Sequence, residues 1–189
     1  MPEWKIHDLQ AEKMGINPNV SRKVNEIIDF GFRGHDDRSY TQREFFFLKA
    51  SEAYEIGGWD GVKAFFLHHV MDYMDTFLRE YARMRDWDWN SSMINHLTRY
   101  YKNQIVMHVK YNKLYEWRDY TIRDKKNSKL MEKLLGTLNR DLFEFEEKGD
   151  EVIIKFSDAV SQAVESVSVY IQFNFWEIAE DILESSPEK

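Results

Sequence analysis

Between residues 59 and 85 the chain reads WDGVKAFFLHHVMDYMDTFLREYARMR, with apolar positions returning every three or four residues. Val62, Phe66, His69, Tyr73 and Phe77 share one helical face, and Phe65 and Met74 widen it. His68, Asp72, Asp75 and Arg79 form a second, polar stripe at the same spacing. Asp60 is placed to cap the start, and neither proline nor glycine interrupts residues 62–85. This stretch is the strongest helix in the sequence, and it carries a His–Asp pair one turn apart.

Similar patterning predicts the other elements. A short helix over 4–14 ends at Gly15, and Pro18 with Asn19 restarts the chain. Val20, Val24, Ile27 and Ile28 mark a second amphipathic helix with Phe30 near its end. Residues 31–40 read as a polar loop with two glycines. Thr41 and Glu44 have capping-box spacing, so a helix through Phe45, Phe46, Phe47, Leu48 and Tyr54 is expected to stop at Gly57 and Gly58. After a break at 86–90, Ser91 or Ser92 is placed to cap a helix that runs, with a kink, as far as Trp117. A shorter helix is expected over 129–138.

The period then changes from helical to alternating. LFEFEE and EVIIKF flank Lys148, Gly149 and Asp150, the pattern of a β-hairpin over about 142–156. Ser157 is placed to cap a last helix from 158 to about 183, with Val160, Val164, Val167, Ile171, Phe175 and Ile178 facing inward. The expected fold is therefore mainly α. It is a single domain over 1–189, a helical bundle of about six to seven helices with one hairpin before the C-terminal helix and a frayed tail over about 185–189.

Composition narrows the function classes. Hydrophobic residues are 43% and charged residues 31%, a globular balance, while aromatics at 15% point to a core or an interface built of rings. A net charge of −7 disfavours general binding to nucleic-acid backbones, although a local basic patch lies around 123–133. With no cysteine there is neither a disulfide framework nor a thiolate metal site. No apolar run approaches the roughly 20 residues that span a bilayer, and no signal region opens the chain, so a cytoplasmic location is expected. Walker, dinucleotide-binding, G-x-S-x-G and H-E-x-x-H motifs are absent, so no nucleotide cofactor is indicated.

The remaining chemistry is histidine and aspartate. His7, His35, His68, His69, His96 and His108 all lie in the first 108 residues, and His7–Asp8, His35–Asp36 and His68 with Asp72 place carboxylates beside them. Imidazole and carboxylate donors without thiolates suit a divalent Zn, Mn, Fe or Mg ion. The candidate ligands are His7, His35, Asp36, His68 and Asp72. Plainer readings stand beside this one: His69 as a core histidine, and His68–Asp72 as a helix-surface pair worth ~0.3–0.5 kcal/mol. Carboxylate sets at Glu44 and Glu52, at Asp72 and Asp75, and at Glu177, Glu180 and Asp181 are alternative Mg sites.

Over these short motifs the chain resembles two families. One is the HD-type metal-dependent phosphohydrolases, with His7 as the early histidine, His35–Asp36 as the adjacent pair, and His68 or His69 with Asp72 as later ligands. The chain differs from that pattern in placing His35–Asp36 in a glycine-flanked loop. The other is the helical zinc phospholipase C-like proteins, in which His68–Asp72 matches a His-x-x-x-Asp zinc motif and His7 an early ligand. Both resemblances imply a metal-dependent hydrolase acting on a small-molecule phosphoester. The alternative expectation is a non-catalytic interaction or regulatory protein. It would work through a surface rich in Trp59, Trp87, Trp89, Tyr100, Tyr101, Tyr111, Tyr115 and Trp117, binding a protein partner or forming a homo-oligomer.

Overall fold

The computed structural model describes residues 4–30, 42–88 and 90–185. The chain is mainly helical, with a small antiparallel sheet ahead of the C-terminal helix. Helix α1 spans Trp4–Lys13 and α2 spans Pro18–Asp29. Between them Gly15 takes φ 86°, and the Asn17 side chain accepts the Asn19 N–H to cap α2, whose proline sits where no helical N–H is needed.

Helix α3, Gln42–Met84, is the axis of the molecule, and it is broken where the sequence predicts. Gly57 (φ −147°, ψ 17°) and Gly58 (φ 58°, ψ −138°) leave helical geometry, dividing α3 into two arms. The break is a point of close approach. A Cβ at Gly57 would stand 2.3 Å from Val20 Cγ1, and one at Gly61 would stand 1.9 Å from the Ala53 carbonyl oxygen. Glycine lets the chain kink between the two arms and lets α2 settle against the joint. The Thr41 cap and the 31–40 loop lie outside the described residues.

Several boundaries differ from expectation for local reasons. Helix α4, Ser91–Tyr100, is capped by Asn90, whose side-chain oxygen accepts the Met93 N–H, rather than by Ser91 or Ser92. The expected helix from there to Trp117 divides at Tyr101 (φ −128°) into α5, Lys102–Val109. A π-helical turn over Lys110–Leu114 and the short α6, Tyr115–Arg118, follow. The hairpin forms from β2, Phe143–Lys148, and β3, Glu151–Phe156, around Gly149 at φ 63°. It gains a third strand absent from the sequence reading: β1, Thr121–Lys125, pairs antiparallel with β3, giving the order β1-β3-β2. Only Ile122 of TIRDK is buried, so the strand has almost no alternating signal and owes its form to β3. Helix α7, Lys129–Thr137, lies between β1 and β2, capped by Ser128.

Helix α8, Asp158–Ser185, closes the fold, burying the six inward positions expected of it. The aromatic load concentrates where α3 meets the sheet: Phe47 packs on Phe143 and Phe156 at ring separations of 4.8 and 4.7 Å, and Phe46 on Phe65 at 4.7 Å. Among the described residues, no helix is long and apolar enough to cross a membrane.

The two glycine environments separate sharply under substitution. Gly61→Ala drives a methyl into the Ala53 carbonyl and is expected to lower unfolding free energy by about 2 kcal/mol or more, because backbone cannot yield as a side chain does. Gly136→Ala, with open space around it in α7, is expected to be neutral or stabilising by up to about 1 kcal/mol. Urea titration of both variants checks the pair, and equal effects would show that the close approach at Gly61 is not formed.

Candidate metal centre

Three helices meet at a buried polar cluster. Helix α1 contributes His7 from its buried face, and α2 contributes Ser21 and Asn25 from the interior and Asp29 from its last turn. The second arm of α3 contributes His68 and Asp72, one turn apart. The His68 and Asp72 end of the polar stripe thus points inward, against α1 and α2, and His68–Asp72 is not a surface pair: His68 is 1% exposed and Asp72 22%.

Asp72 stands between two histidines. Its Oδ1 lies 3.3 Å from His7 Nε2 and its Oδ2 lies 3.2 Å from His68 Nε2, while Asp29 Oδ1 approaches the same His68 nitrogen at 3.4 Å. The imidazoles of His7 and His68 stack with centroids 4.1 Å apart and planes 18° from parallel. One donor atom from each of His7, His68 and Asp72 falls within a sphere of mutual distances no greater than 4.8 Å. These three side chains form a group able to hold a metal ion.

A polar relay fixes which nitrogen of His68 faces the cluster. Asp8 Oδ1 accepts from Asn25 Nδ2 at 3.0 Å and from Ser21 Oγ at 2.8 Å. A carboxylate only accepts, so the Asn25 amide must turn its NH2 to Asp8 and its oxygen to His68. Asn25 Oδ1 lies 2.8 Å from His68 Nδ1, which must therefore carry the proton and donate. Nε2 is left to face Asp72 and Asp29. Such an outer partner orients an imidazole for a metal at its other nitrogen.

The inner atoms are close without being well paired. His68 Nε2, Asp72 Oδ1 and His7 Nδ1 are buried without an aligned hydrogen bond among the described residues. A neutral His68 would aim its Nε2 lone pair at two carboxylates, an arrangement that calls for a proton or a cation between them. Donors about 2.0–2.1 Å from a shared ion stand roughly 3.3–3.4 Å apart, and each histidine Nε2 is at about that distance from one oxygen of Asp72, His7 from Oδ1 and His68 from Oδ2. A shared ion would draw the two stacked rings out of parallel, since their lone pairs lie in the ring planes.

Electrostatics place the charges. Burial opposes a charge on Asp72, but the close approach of His68 and His7 and their charges outweigh it and hold its carboxyl well below the usual range. Burial also opposes charge on His68, and there Asp29 and Asp72 prevail and raise its affinity for a proton. His7 is pushed down by burial, with His68 adding to the effect against the pull of Asp72. Asp29 is lowered: burial alone would raise it, and His68 and Trp4 reverse that. Lys49, half-buried in the first arm of α3, donates to the Ile28 carbonyl at 2.9 Å, placing an ammonium beside Asp29 at the C-terminal end of α2. Burial lowers its pKa while Asp29 raises it.

Of the five candidate ligands, His7, His68 and Asp72 are brought together, and His35 and Asp36 lie outside the described residues. Asn25, Asp29 and Ser21 were not singled out in sequence. Ser21, Asn25 and Ile28 do share the buried face of α2 at helical spacing, which marks two polar residues as interior. His69 packs among Phe65, Phe46 and Trp117, and His108 stacks on Phe77 and meets Tyr73 Oη at 3.0 Å. Of the acidic alternatives, Asp75 is bound by Arg79 at 2.6 Å, and Glu177 and Asp181 are taken by Lys13 and Gln10. Comparison with protein-family models, curated proteins and solved structures finds no match.

The histidines set the response to acid. Burial pushes His69 from 6.5 to about 3, so the unfolded chain binds a proton that the folded chain refuses across that interval. Stability therefore falls as pH drops below about 6.5, by up to about 1.4 kcal/mol per unit for each such group, and His7 acts in the same direction. The lowered Asp72 and Asp29 contribute stability above about pH 4 that is lost in stronger acid. His68 has the opposite sign, stabilising fully below about 6.5 and losing that contribution as pH rises through its folded value. Denaturant titrations of chelator-treated protein from pH 6.5 to 4 should show falling stability with a shallower slope in His69→Leu. An unchanged slope in that variant would place the acid response elsewhere.

Proposed function

We propose that this protein is a metal-dependent hydrolase that acts on a phosphoester, with His7, His68 and Asp72 as metal ligands. The observation that carries this reading is the His68 Nε2 atom, buried, oriented by Asn25 and facing two carboxylates with no aligned hydrogen bond. The donor set of imidazole and carboxylate suits Zn, Mn, Fe or Mg. A divalent ion in such a site supplies a Lewis acid for a phosphoryl oxygen and acidifies a bound water.

The chain's own groups have distinct tasks in this reading. Asn25 keeps the proton on His68 Nδ1, so Nε2 remains a donor to the ion. Asp72 and Asp29 are more exposed than the two histidines, which supports an approach for substrate from the carboxylate side. Lys49 offers a cation there, suited to an anionic phosphoryl group. The resemblance to HD-type phosphohydrolases supports the same substrate class and keeps His35 and Asp36 as candidate ligands.

Elemental analysis and hydrolysis of bis(p-nitrophenyl) phosphate test the reading together. Stoichiometric metal and turnover are expected in the native protein, with both lost about a hundredfold or more in His68→Ala and Asp72→Ala variants that still show native circular dichroism. Protein that binds no ion after incubation with Zn2+ or Mn2+ would sink the proposal.

One observation favours the interaction reading as a second function. Phe173 and Val169 project from α8 with 79% and 44% of their surface exposed, one turn apart on the same side. Sedimentation across a hundredfold range of concentration is expected to show association that Phe173→Ser weakens, and a monomer at every concentration would count against this surface as a self-association site.

A further inference from the structure

Helix α8 leaves one face to solvent over about its first four turns. Between Ala159 and Phe173 it has seven exposed positions, and Glu165 alone among them is charged, in a chain that is 31% charged. Glu165 is turned aside, its Oε2 accepting the Tyr115 hydroxyl at 2.8 Å. The exposed residues Ala159, Gln162, Ser166, Val169 and Phe173 follow one another at steps of three, four, three and four, the spacing of a seam along which two helices pack. The seam is uneven. At one end Phe173 stands out with 79% of its surface exposed. Towards the other end is a hollow of about 340 Å³ between Ala159, Gln162, Ala163 and Ser166 of α8 and Trp59 and Lys63 of α3. A cavity of roughly 150 Å³ already holds a benzene molecule, so this hollow has room for a phenylalanine ring.

We propose that this face of α8 is the interface with a second copy of the chain, the two α8 helices running antiparallel about a two-fold axis at Ser166, with Phe173 of each copy seated in the hollow beside Ala159 of the other. This inference rests on the reading of α8 as a self-association surface and gives that surface its geometry. In an antiparallel two-fold pair, positions equally far from the axis on opposite sides meet. Ser166 then meets its own copy, Phe173 meets Ala159, and Val169 falls beside Gln162 and Ala163. The knob meets the hollow twice in each dimer. Parallel helices would set Phe173 against Phe173 and leave both hollows empty, and unfilled apolar space costs stability. The lack of charge supports the same occupant. A self-pairing face brings charges of one sign near each other, so it avoids repulsion by carrying few, whereas a partner of strong opposite charge would find little here to recognise. The seam runs about 21 Å from Ala159 to Phe173 at roughly 1.5 Å per residue, a short contact that suits a micromolar dimer rather than an obligate one.

The test uses the full-length protein, in sedimentation equilibrium from about 5 to about 500 μM and in a distance measurement between spin labels. Because the chain has no cysteine, Glu180→Cys carries a single nitroxide per copy. Glu180 is exposed on α8 and 14 residues beyond Ser166, so two labels stand about 42 Å apart along antiparallel helices and about 10 Å apart across parallel ones. Ala159→Trp fills the hollow from an exposed position and is expected to weaken dimerisation about tenfold or more. Adding Phe173→Ser to it is expected to weaken the dimer little further, since both changes act on one contact. Glu132→Gln, on α7, is expected to change the dimer constant less than about twofold. A label separation near 42 Å with a weakened Ala159→Trp dimer supports the arrangement, and a separation near 10 Å overturns it. Should Ala159→Trp lose its native circular dichroism, the label separation decides alone. A dimer weakened by Phe173→Ser but unchanged in a folded Ala159→Trp variant overturns the seating of Phe173 and leaves α8 as a self-association surface. A monomer at every concentration removes that surface and this inference together, and leaves the face to a different protein.

Discussion

A carboxylate held between two histidines is the constraint on which the N-terminal half of this protein turns. Asp72 is mostly buried, and charge in that position is tolerated only because His7 and His68 bring compensating groups to its two oxygens. The histidines come from different helices. Docking α1 onto α3 is therefore as much an electrostatic event as a hydrophobic one, and a misplaced α1 would leave a carboxylate enclosed without its partner. The hydrogen-bonded chain from Ser21 and Asp8 through Asn25 to His68 adds α2 to the same network.

That arrangement depends on how α2 reaches α3. Val20 packs where Gly57 lacks a side chain, and the break at Gly57 and Gly58 redirects the second arm of α3 so that its polar stripe meets α1 and α2. The glycines that interrupt the longest helix are thus what allow the His68 and Asp72 face to be covered. Nearby, the aromatic cluster of Phe46, Phe47, Phe65, Phe143 and Phe156 anchors the same arms to the sheet by ring packing. The polar centre is carried by three helices rather than by a loop.

The distribution of rings also separates two roles that composition merges. Phenylalanines fill the core where α3 meets the sheet, whereas Tyr100, Tyr111 and Phe173 remain largely at the surface. Trp59, Trp87, Tyr115 and Trp117 lie between, half-buried against the core, and Trp89 falls outside the described residues. An aromatic excess in the sequence is therefore mostly core, with a smaller exposed share that includes Phe30 after α2, Tyr100 at the end of α4, Tyr111 in the π-helical turn and Phe173 on α8.

The sequence alone determined the helical class, the break at Gly57 and Gly58, the hairpin before the last helix and the inward face of α8, because each rests on local periodicity or on a residue with special backbone freedom. It also placed His7, His68 and Asp72 among the candidates from residue type and spacing. It could not choose between His68 and His69 as the interior histidine. A helix presents both within a small rotation, and the choice was made by α1 and α2, which cover the side bearing His68 while Phe46, Phe65 and Trp117 surround His69. Nor could it find β1, whose register comes from β3 rather than from its own alternation. Asp29 and Asn25 stayed hidden for the same reason: an isolated polar residue on an amphipathic helix acquires chemistry only when another helix brings a histidine to it, and that meeting belongs to the tertiary structure.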